Sequence, residues 1–524
     1  MYYNAAVDLI ERNLFGERRN KIAVVDDFGQ YTYAELADRV NRCANALRQF
    51  GLEPGQRLVL CLTDSIDFPV TFLGAIQAGI VPIPVNTLWT AHDYAYMLLD
   101  SSAKAAIVSE IRLSSFQEAA RMADWRGRII VSARKCPLDQ PCLLRLLEGG
   151  CATSIPHPTR PNDTCFWLYS SGSSGKPKGA VHVHASLAKT AELFAEGVLG
   201  MNHGDIVYSA AKLFFAYGLG NALSFPFAVG ATSILFADRP LPASINTILR
   251  QHRPTIFCGV PTLFSSLLGS GDLPANGQHA MRLCTSAGEA LPEQVARKWK
   301  DHTGVDIIDG IGTTEMLHIF LSNRPGAVRY GTAGQPVPGY KVKLVNEDQE
   351  QVRAGEIGEL HVSGPTSAVS YWNNLAKTRD TFLGEWTRTG DKLRQTAEGD
   401  FVYCGRADDM IKVGGIWVSP VEVEATLLEH DSVLEAAVVG VGEGLLKPKA
   451  FIVLRPGVVG TPELAQQLKG FVKTKLAPYK YPRWIEFVDE LPKTATGKVQ
   501  RYRLRQASST SGISLQTNQS SQPR

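Results

Sequence analysis

Two rhythms of apolar and polar positions alternate along the first part of this chain. "IAVVDD", Ile22 to Asp27, is a short apolar run, and a glycine turn follows it. From Tyr31 the apolar residues recur at helical spacing as far as Gly51, which predicts an amphipathic helix. Thr32 and Glu35 stand as a capping box at its start, and Gly51 lies past its end. "RLVLCL", Arg57 to Leu62, then predicts a buried strand, and Phe68 to Gln77 a second helix. Strand and helix in this alternation predict an α/β architecture with buried sheets. No internal repeat is visible.

The texture changes near Asp400. "GDFVYCGRADDMIKVGG" predicts strand, polar turn and strand, closing on Gly414 and Gly415. A helix follows, with Ser419 as N-cap, Pro420 at its first position and Glu422 completing a capping box. "EAAVVGV" and "AFIVL" predict strands, and "PELAQQLKGFVKTKL" a further helix. These elements suffice for a small α/β domain ending near Arg505. Residues 506–524 are rich in Ser and Gln and are expected to be a disordered tail. Leu213 to Ala237 carries no charge, yet Gly218, Gly220, Asn221, Pro226 and Gly230 break it up. A buried helix plus a buried strand is expected there, against the alternative of a membrane span.

Composition narrows the function classes. A chain of 524 residues exceeds one ordinary domain. Its formal net charge of +3 gives no support to a nucleic-acid or polyanion partner. The 9 cysteines are scattered, with no CxxC pair, and are expected to be reduced thiols in a cytoplasmic protein. The first residues carry acids and lack an apolar core segment, so no signal peptide is expected.

"YSSGSSGKPKG", Tyr169 to Gly179, is the densest concentration of candidate chemistry. It is not a Walker A loop, because Gly172 and Gly175 are too close and Pro177 follows Lys176. Its flanks, "TCFWLY" and "AVHVH", both predict strands, whereas a Walker loop opens a helix. Glycines free the backbone N–H groups to converge on one anion, serines add donors and lysines add charge. Composition alone leaves a solvated Ser/Gly hairpin equally open.

The loop resembles the phosphate-binding loop of the acyl-adenylate-forming superfamily. Further motifs of that superfamily follow in order: "SAGEALP" at Ser286–Pro292, "DGIGTTE" at Asp309–Glu315 and "GELHVSGP" at Gly358–Pro365. Then come "RTGD" at Arg388–Asp391, "GRADDMIKVGG" at Gly405–Gly415 and "LPKTATGK" at Leu491–Lys498. The resemblance spans nearly the whole chain apart from the tail. It implies a large N-terminal domain, 1–407, of stacked β-sheets with helices and a small β-barrel. A small mobile α/β domain, 408–505, would follow, with its hinge at Asp408.

The resemblance also implies the chemistry. ATP and Mg2+ activate a carboxylate as an acyl-adenylate, and the thiol of coenzyme A then attacks it. Ser170, Ser171, Gly172, Ser173, Ser174, Gly175, Lys176 and Lys178 would wrap the ATP phosphates. Thr314 would bind the α-phosphate and Glu315 the Mg2+, a hard cation suited to oxygen ligands. Gly288, Glu289, Ala290, Gly310 and Ile311 would line the adenosine, with Asp309 near the adenine amino edge and Asp391 and Arg406 at the ribose. Lys498 would contact both carboxylate and α-phosphate and act as a charge. Gly414 and Gly415 would admit the pantetheine arm, and Tyr479 and Lys480 would touch the CoA nucleotide.

Two stretches narrow the acid. "KLFFAYGLGN" and "DGIGTTEMLHIF" resemble the benzoate–CoA ligase branch. Phe215, Ala216, Tyr217, Gly310, Ile311, Gly312 and His318 would then surround a flat ring. Tyr217 and His318 could each hydrogen-bond a ring hydroxyl or amino group, which keeps 4-hydroxybenzoate and 2-aminobenzoate beside benzoate. Two alternatives stand: an aryl-acid adenylating enzyme that loads a carrier protein, and a nucleotide-binding regulator of the same fold.

Overall fold

Local signals near the N-terminus are realised as sequence physics dictates. The computed structural model describes residues 2–170, 176–413, 416–442, 446–493 and 499–510. Helix Tyr33–Gln49 opens on a reciprocal box, in which the Thr32 hydroxyl accepts from the Glu35 N–H and the Glu35 carboxylate from that of Thr32. Its buried residues, Leu36, Ala37, Val40, Cys43, Ala44 and Leu47, form one stripe. The chain leaves the helix through Gly51 at a φ of 87°. Helix Asp67–Ala78 is buried on every side, which explains its lack of a polar face.

Chain contacts divide the protein into two compact units. The first comprises Met1–Leu291, Val295–Val342 and His361–Thr389; the second comprises Pro292–Gln294, Lys343–Leu360 and Gly390–Arg524. The first unit holds a four-stranded parallel sheet in the order Val81–Pro84, Arg57–Cys61, Ala105–Ser109, Arg128–Ser132. It also holds a nine-stranded sheet. In that sheet Ile307–Gly312, Leu283–Ser286, Ile256–Gly259, Ile206–Ser209, Thr232–Ile234 and Ile22–Asp26 run parallel in this order. These strands are mostly apolar and mostly buried, as parallel strands covered on both faces tend to be. The carboxyl ends of Leu283–Ser286 and Ile307–Gly312 lead into the motifs at Ser286–Pro292 and Asp309–Glu315. Ligands of open α/β sheets bind at such strand ends.

The uncharged stretch folds as a buried helix and a buried strand. Ala216–Leu219, a π-helical turn Gly220–Ser224 and Phe225–Val229 run on as one helix, and Gly230 at φ 79° turns the chain into strand Thr232–Ile234. Among the described residues no helix is long and apolar enough to cross a membrane.

In the second unit, the Asp391–Arg406 pair sits in an antiparallel ladder of Trp386–Gln395 with Phe401–Arg406. The pair Ile411–Val413 and Ile416–Val418 flanks Gly414 and Gly415, which lie outside the described residues. Helix Pro420–Leu428 and helix Pro462–Lys475 pack on the sheet Val433–Val441, Lys447–Leu454, Trp484–Phe487 through Val423, Leu427, Val438, Ile452, Leu468 and Val472.

Three expectations need correction. Cys136 and Cys142 form a disulfide, with Cα atoms 5.5 Å apart, so not all nine cysteines are thiols. The chain after strand Arg128–Ser132 doubles back and forms a bridge between Val131 and Cys142, which brings the two sulfurs together. Six of the other seven cysteines are buried, and Cys151 is exposed. Residues 506–510 belong to helix Arg501–Thr510, which extends into the expected tail. Finally, Ser419 caps its helix through the Glu422 N–H, but the Glu422 carboxylate takes Lys480 as its partner instead of closing the box.

Candidate functional site

The serine-rich loop joins two strands. Thr164–Ser170 and Lys178–Val183 form an antiparallel hairpin that ends on the pair Ser170 and Lys178. Ser171, Gly172, Ser173, Ser174 and Gly175 lie outside the described residues. The described flanks are ordered by aromatic side chains. The Tyr96 hydroxyl donates to the Pro177 carbonyl at 3.2 Å, and its ring lies 5.4 Å from the Lys176 ammonium. Lys178 places its ammonium 4.8 Å from the ring centroid of Tyr371.

Thr314 and Glu315 stand on a single turn, Thr314–Met316, capped by the Thr313 hydroxyl. Two hydroxyls hold the Glu315 carboxylate: Tyr371 donates to Oε1 at 2.6 Å and Ser170 at 3.1 Å. The Thr314 carbonyl accepts from Nε2 of His182 at 2.8 Å. His182 is fully buried, its ring stacks on Phe166, and its Nδ1 has no partner. Burial lowers its pKa to about 4, so the imidazole is neutral and its proton sits on Nε2. Mg2+ typically needs only one or two protein carboxylates beside substrate phosphate oxygens. A fixed carboxylate beside Ser170, where the serine-rich loop begins, fits that demand.

Asp309 pairs with Ser286 across the parallel ladder, which sets the starts of the Ser286–Pro292 and Asp309–Glu315 motifs side by side. Its Oδ1 is buried without a partner, and burial pushes its carboxyl up to about 8. A polar oxygen left open inside the protein fits the edge of an adenine ring. Gly288, at φ 97°, is exposed on the following turn, with Glu289 and Ala290 half-buried beside it.

His318 joins the segments around Tyr217 and Gly312. Its Nε2 donates to the Tyr217 carbonyl at 3.3 Å, and its ring packs against Phe194, Tyr217 and Phe225 at centroid distances of 5.4, 5.4 and 4.5 Å. Close approach explains two glycines here. A Cβ on Gly220 would stand 2.3 Å from the His318 ring, and one on Gly312 would stand 2.5 Å from the His318 carbonyl. Between Glu315 and His318 the chain reverses at Leu317, whose φ of 67° is strained for a leucine. Gly310 is buried beside Ile319, Ile311 pairs with Leu321, and Ala216 is buried next to half-buried Phe215 and Tyr217. The Tyr217 hydroxyl lies 2.7 Å from the Thr285 hydroxyl, and either can be the donor.

In the second unit, Asp391 is buried and accepts from Arg406 at 3.1 Å and from the Tyr403 hydroxyl at 3.5 Å. Asp408 is exposed on the turn after Arg406; its neighbour Asp409 binds Arg505 at 2.7 Å. Tyr479 is exposed, and Lys480 gives its ammonium to both oxygens of Glu422, at 2.8 and 2.6 Å. Lys498 lies outside the described residues.

Tyr371, His182 and Thr285 were not singled out from the sequence. Each acts through a partner far along the chain, and no local pattern marks them. A polar cavity of about 420 Å³ lies at the amino ends of the strands, lined by Asn276, His279, Lys300 and Asp306 among others. Its Lys300 is already paired with Asp306 at 2.8 Å.

Comparison with known proteins agrees with this geometry. Residues 11–372 match the family described as AMP-binding enzyme, and residues 422–498 its C-terminal domain. The chain is 57% identical over 509 residues to the benzoate–CoA ligase of Thauera aromatica, covering 96% of each chain. It is 47% identical over 513 residues to the 4-hydroxybenzoate–CoA/benzoate–CoA ligase of Rhodopseudomonas palustris, covering 96% of this chain and 94% of that one. The crystal structure of a benzoate CoA ligase from Burkholderia xenovorans LB400 matches with a TM-score of 0.91 at 51% identity, covering 96% of this chain and 100% of that one. With both parts of the family matched over most of its length, the chain belongs to the AMP-binding enzyme family.

Proposed function

We propose that this protein is an ATP-dependent aryl-acid–CoA ligase whose acid is benzoate. The observation that carries the reading is one short segment, Asp309 to His318. It brings a carboxyl with an open oxygen, a hydroxyl-held carboxylate and a ring-lined imidazole to one strand end.

In the first half-reaction, a carboxylate oxygen of the acid attacks the α-phosphorus of ATP and pyrophosphate leaves. Two anions must meet, so the chain supplies donors and positive charge. Ser170, Lys176 and Lys178 with the intervening loop hold the leaving phosphates, and Thr314 holds the α-phosphate. Mg2+, held by Glu315, would neutralise phosphate charge. Lys498 neutralises the acid and the α-phosphate together. Gly288, Glu289, Ala290 and Asp309 seat the adenine, and Asp391 with Arg406 seats the ribose. Phe215, Ala216, Tyr217, Ile311, Gly312 and His318 surround the ring.

In the second half-reaction, the CoA thiol attacks the acyl carbon and AMP leaves. Rotation of the 408–505 portion about Asp408 would exchange Lys498 for Gly414 and Gly415. Tyr479 and Lys480 would meet the CoA nucleotide. A site using ATP and CoA belongs in the cytoplasm. The balanced net charge gives nucleic acid no purchase.

The test is pyrophosphate release from MgATP with benzoate, 4-hydroxybenzoate, 2-aminobenzoate, 2-furoate, acetate and octanoate, each with and without CoA. Release confined to aryl acids, with CoA driving repeated turnover, is expected. A carrier-protein loader would turn over with phosphopantetheinyl carrier and not with free CoA. Binding of ATP with no release for any acid would replace the ligase by a regulator.

A further inference from the structure

Tyr217 is tied at both ends. Its carbonyl accepts from His318 Nε2 at 3.3 Å, and its phenolic oxygen lies 2.7 Å from Thr285 Oγ1. Thr285 is fully buried in strand Leu283–Ser286. Parallel ladders hold it on both sides, opposite Cys258 and Ile308. A β-branched side chain buried in such a strand is restricted in χ1, so its hydroxyl is closely held. The phenol is held at that point, with Asn221 as a second neighbour. It is drawn toward the strand, and Tyr217 presents its ring to its surroundings. Burial raises the phenol pKa, so the group remains a neutral hydroxyl.

This matters for selectivity. A site that hydrogen-bonds a substrate hydroxyl can favour it strongly, whereas an apolar wall discriminates weakly between a ring and its hydroxylated form. We propose that Thr285 is a positioning residue that sets ring selectivity by holding the Tyr217 hydroxyl away from the acid. The inference rests on the reading above that Tyr217 lines the aryl-acid site. Thr285 does not touch the acid; it decides which part of Tyr217 does.

The experiment compares kcat/KM for benzoate and for 2-, 3- and 4-hydroxybenzoate in the wild type, T285V, T285S, Y217F and the Y217F/T285V double variant. Valine keeps the shape of threonine and removes the hydroxyl; serine keeps the hydroxyl. In T285V the freed phenol should raise the ratio of one hydroxybenzoate to benzoate by about tenfold, the worth of one neutral hydrogen bond. T285S should keep the wild-type ratios. In the Y217F background the valine should have no effect on the ratio, because there is no phenol to release. Circular-dichroism melting confirms folding, and T285A removes the same hydroxyl should the valine variant not fold. Unchanged ratios at all three ring positions, or the same ratio change with and without the Tyr217 hydroxyl, would overturn the inference while leaving benzoate turnover intact. A wild type that activates no aryl acid would instead overturn the reading on which it rests.

Discussion

The Tyr371 hydroxyl donates to Glu315 Oε1 at 2.6 Å, across 56 residues of sequence. Hydrogen bonds to a charged group are worth roughly 1.5–3 kcal/mol. Removing this one leaves the Glu315 carboxylate less fixed, beside the Ser170 hydroxyl. Tyr371→Phe should therefore lower kcat by roughly tenfold or more and raise the Mg2+ concentration for half-maximal rate. Pyrophosphate release across an Mg2+ titration measures both. A variant with wild-type rate and Mg2+ dependence would reduce Tyr371 to a packing residue.

Lys480 poses a different question, because its ammonium is already taken. The pair with Glu422 is part-exposed, and such pairs contribute only about 0–1 kcal/mol, so a phosphate could displace the carboxylate. Glu422→Gln should lower the KM for CoA by roughly threefold by removing the competitor. Lys480→Ala should raise it about tenfold. Initial rates against CoA concentration, at saturating ATP and acid, decide this. If neither change moves the KM, Lys480 serves to hold helix Pro420–Leu428 through Glu422 and not CoA.

What the sequence makes legible is what is local. The helix Tyr33–Gln49 could be read because its cap, stripe and terminal glycine all lie within the element itself. The loop between Ser170 and Lys178 could be placed because the alternation on each side is that of strands. Motif order, read through the family resemblance, named Asp309, Thr314, Glu315 and His318. It could not name what holds them. Glu315 is held by a tyrosine 56 residues on, and Glu422 is claimed by a lysine 58 residues on. Glu422 shows how a local rule loses to a distant partner. Position three of a helix favours a capping box, yet a cation folded against it outcompetes the backbone N–H. The Cys136–Cys142 bond likewise depends on a chain reversal that no spacing reveals.

Asp391 and Arg406 face each other across an antiparallel ladder, 3.1 Å apart, with Asp391 buried and Arg406 exposed. Asp391→Asn keeps the size and removes the charge that two ribose hydroxyls would share. The KM for ATP should rise roughly 10- to 100-fold, at the scale of a lost charged hydrogen bond. Steady-state titration of ATP gives the answer. An unchanged KM would remove Asp391 from the ribose and leave it as the partner of Arg406.

Buried titratable groups give the site opposite pH limits. Burial lowers the pKa of His182 to about 4 and of His318 to about 3, below the ordinary value near 6.5. The unfolded chain therefore binds more protons in that interval. The stability these histidines contribute is full above about pH 6.5 and is lost as pH falls toward their folded values. Asp309 has the reverse sign. Its carboxyl, raised to about 8, favours the folded state below about pH 4 and loses that contribution as pH rises through 8. Unfolding near pH 5.5 should thus take up a proton at each histidine and release one from Asp309. Each proton contributes a slope of about 1.4 kcal/mol per pH unit. Calorimetric unfolding in buffers of different ionisation enthalpy counts these protons directly. His182→Gln should lower the uptake by about one, and Asp309→Asn should remove the release, so that net uptake rises by about one. Unchanged proton counts in His182→Gln would mean that His182 is charged in the folded protein, and its bond to the Thr314 carbonyl would then be that of an imidazolium.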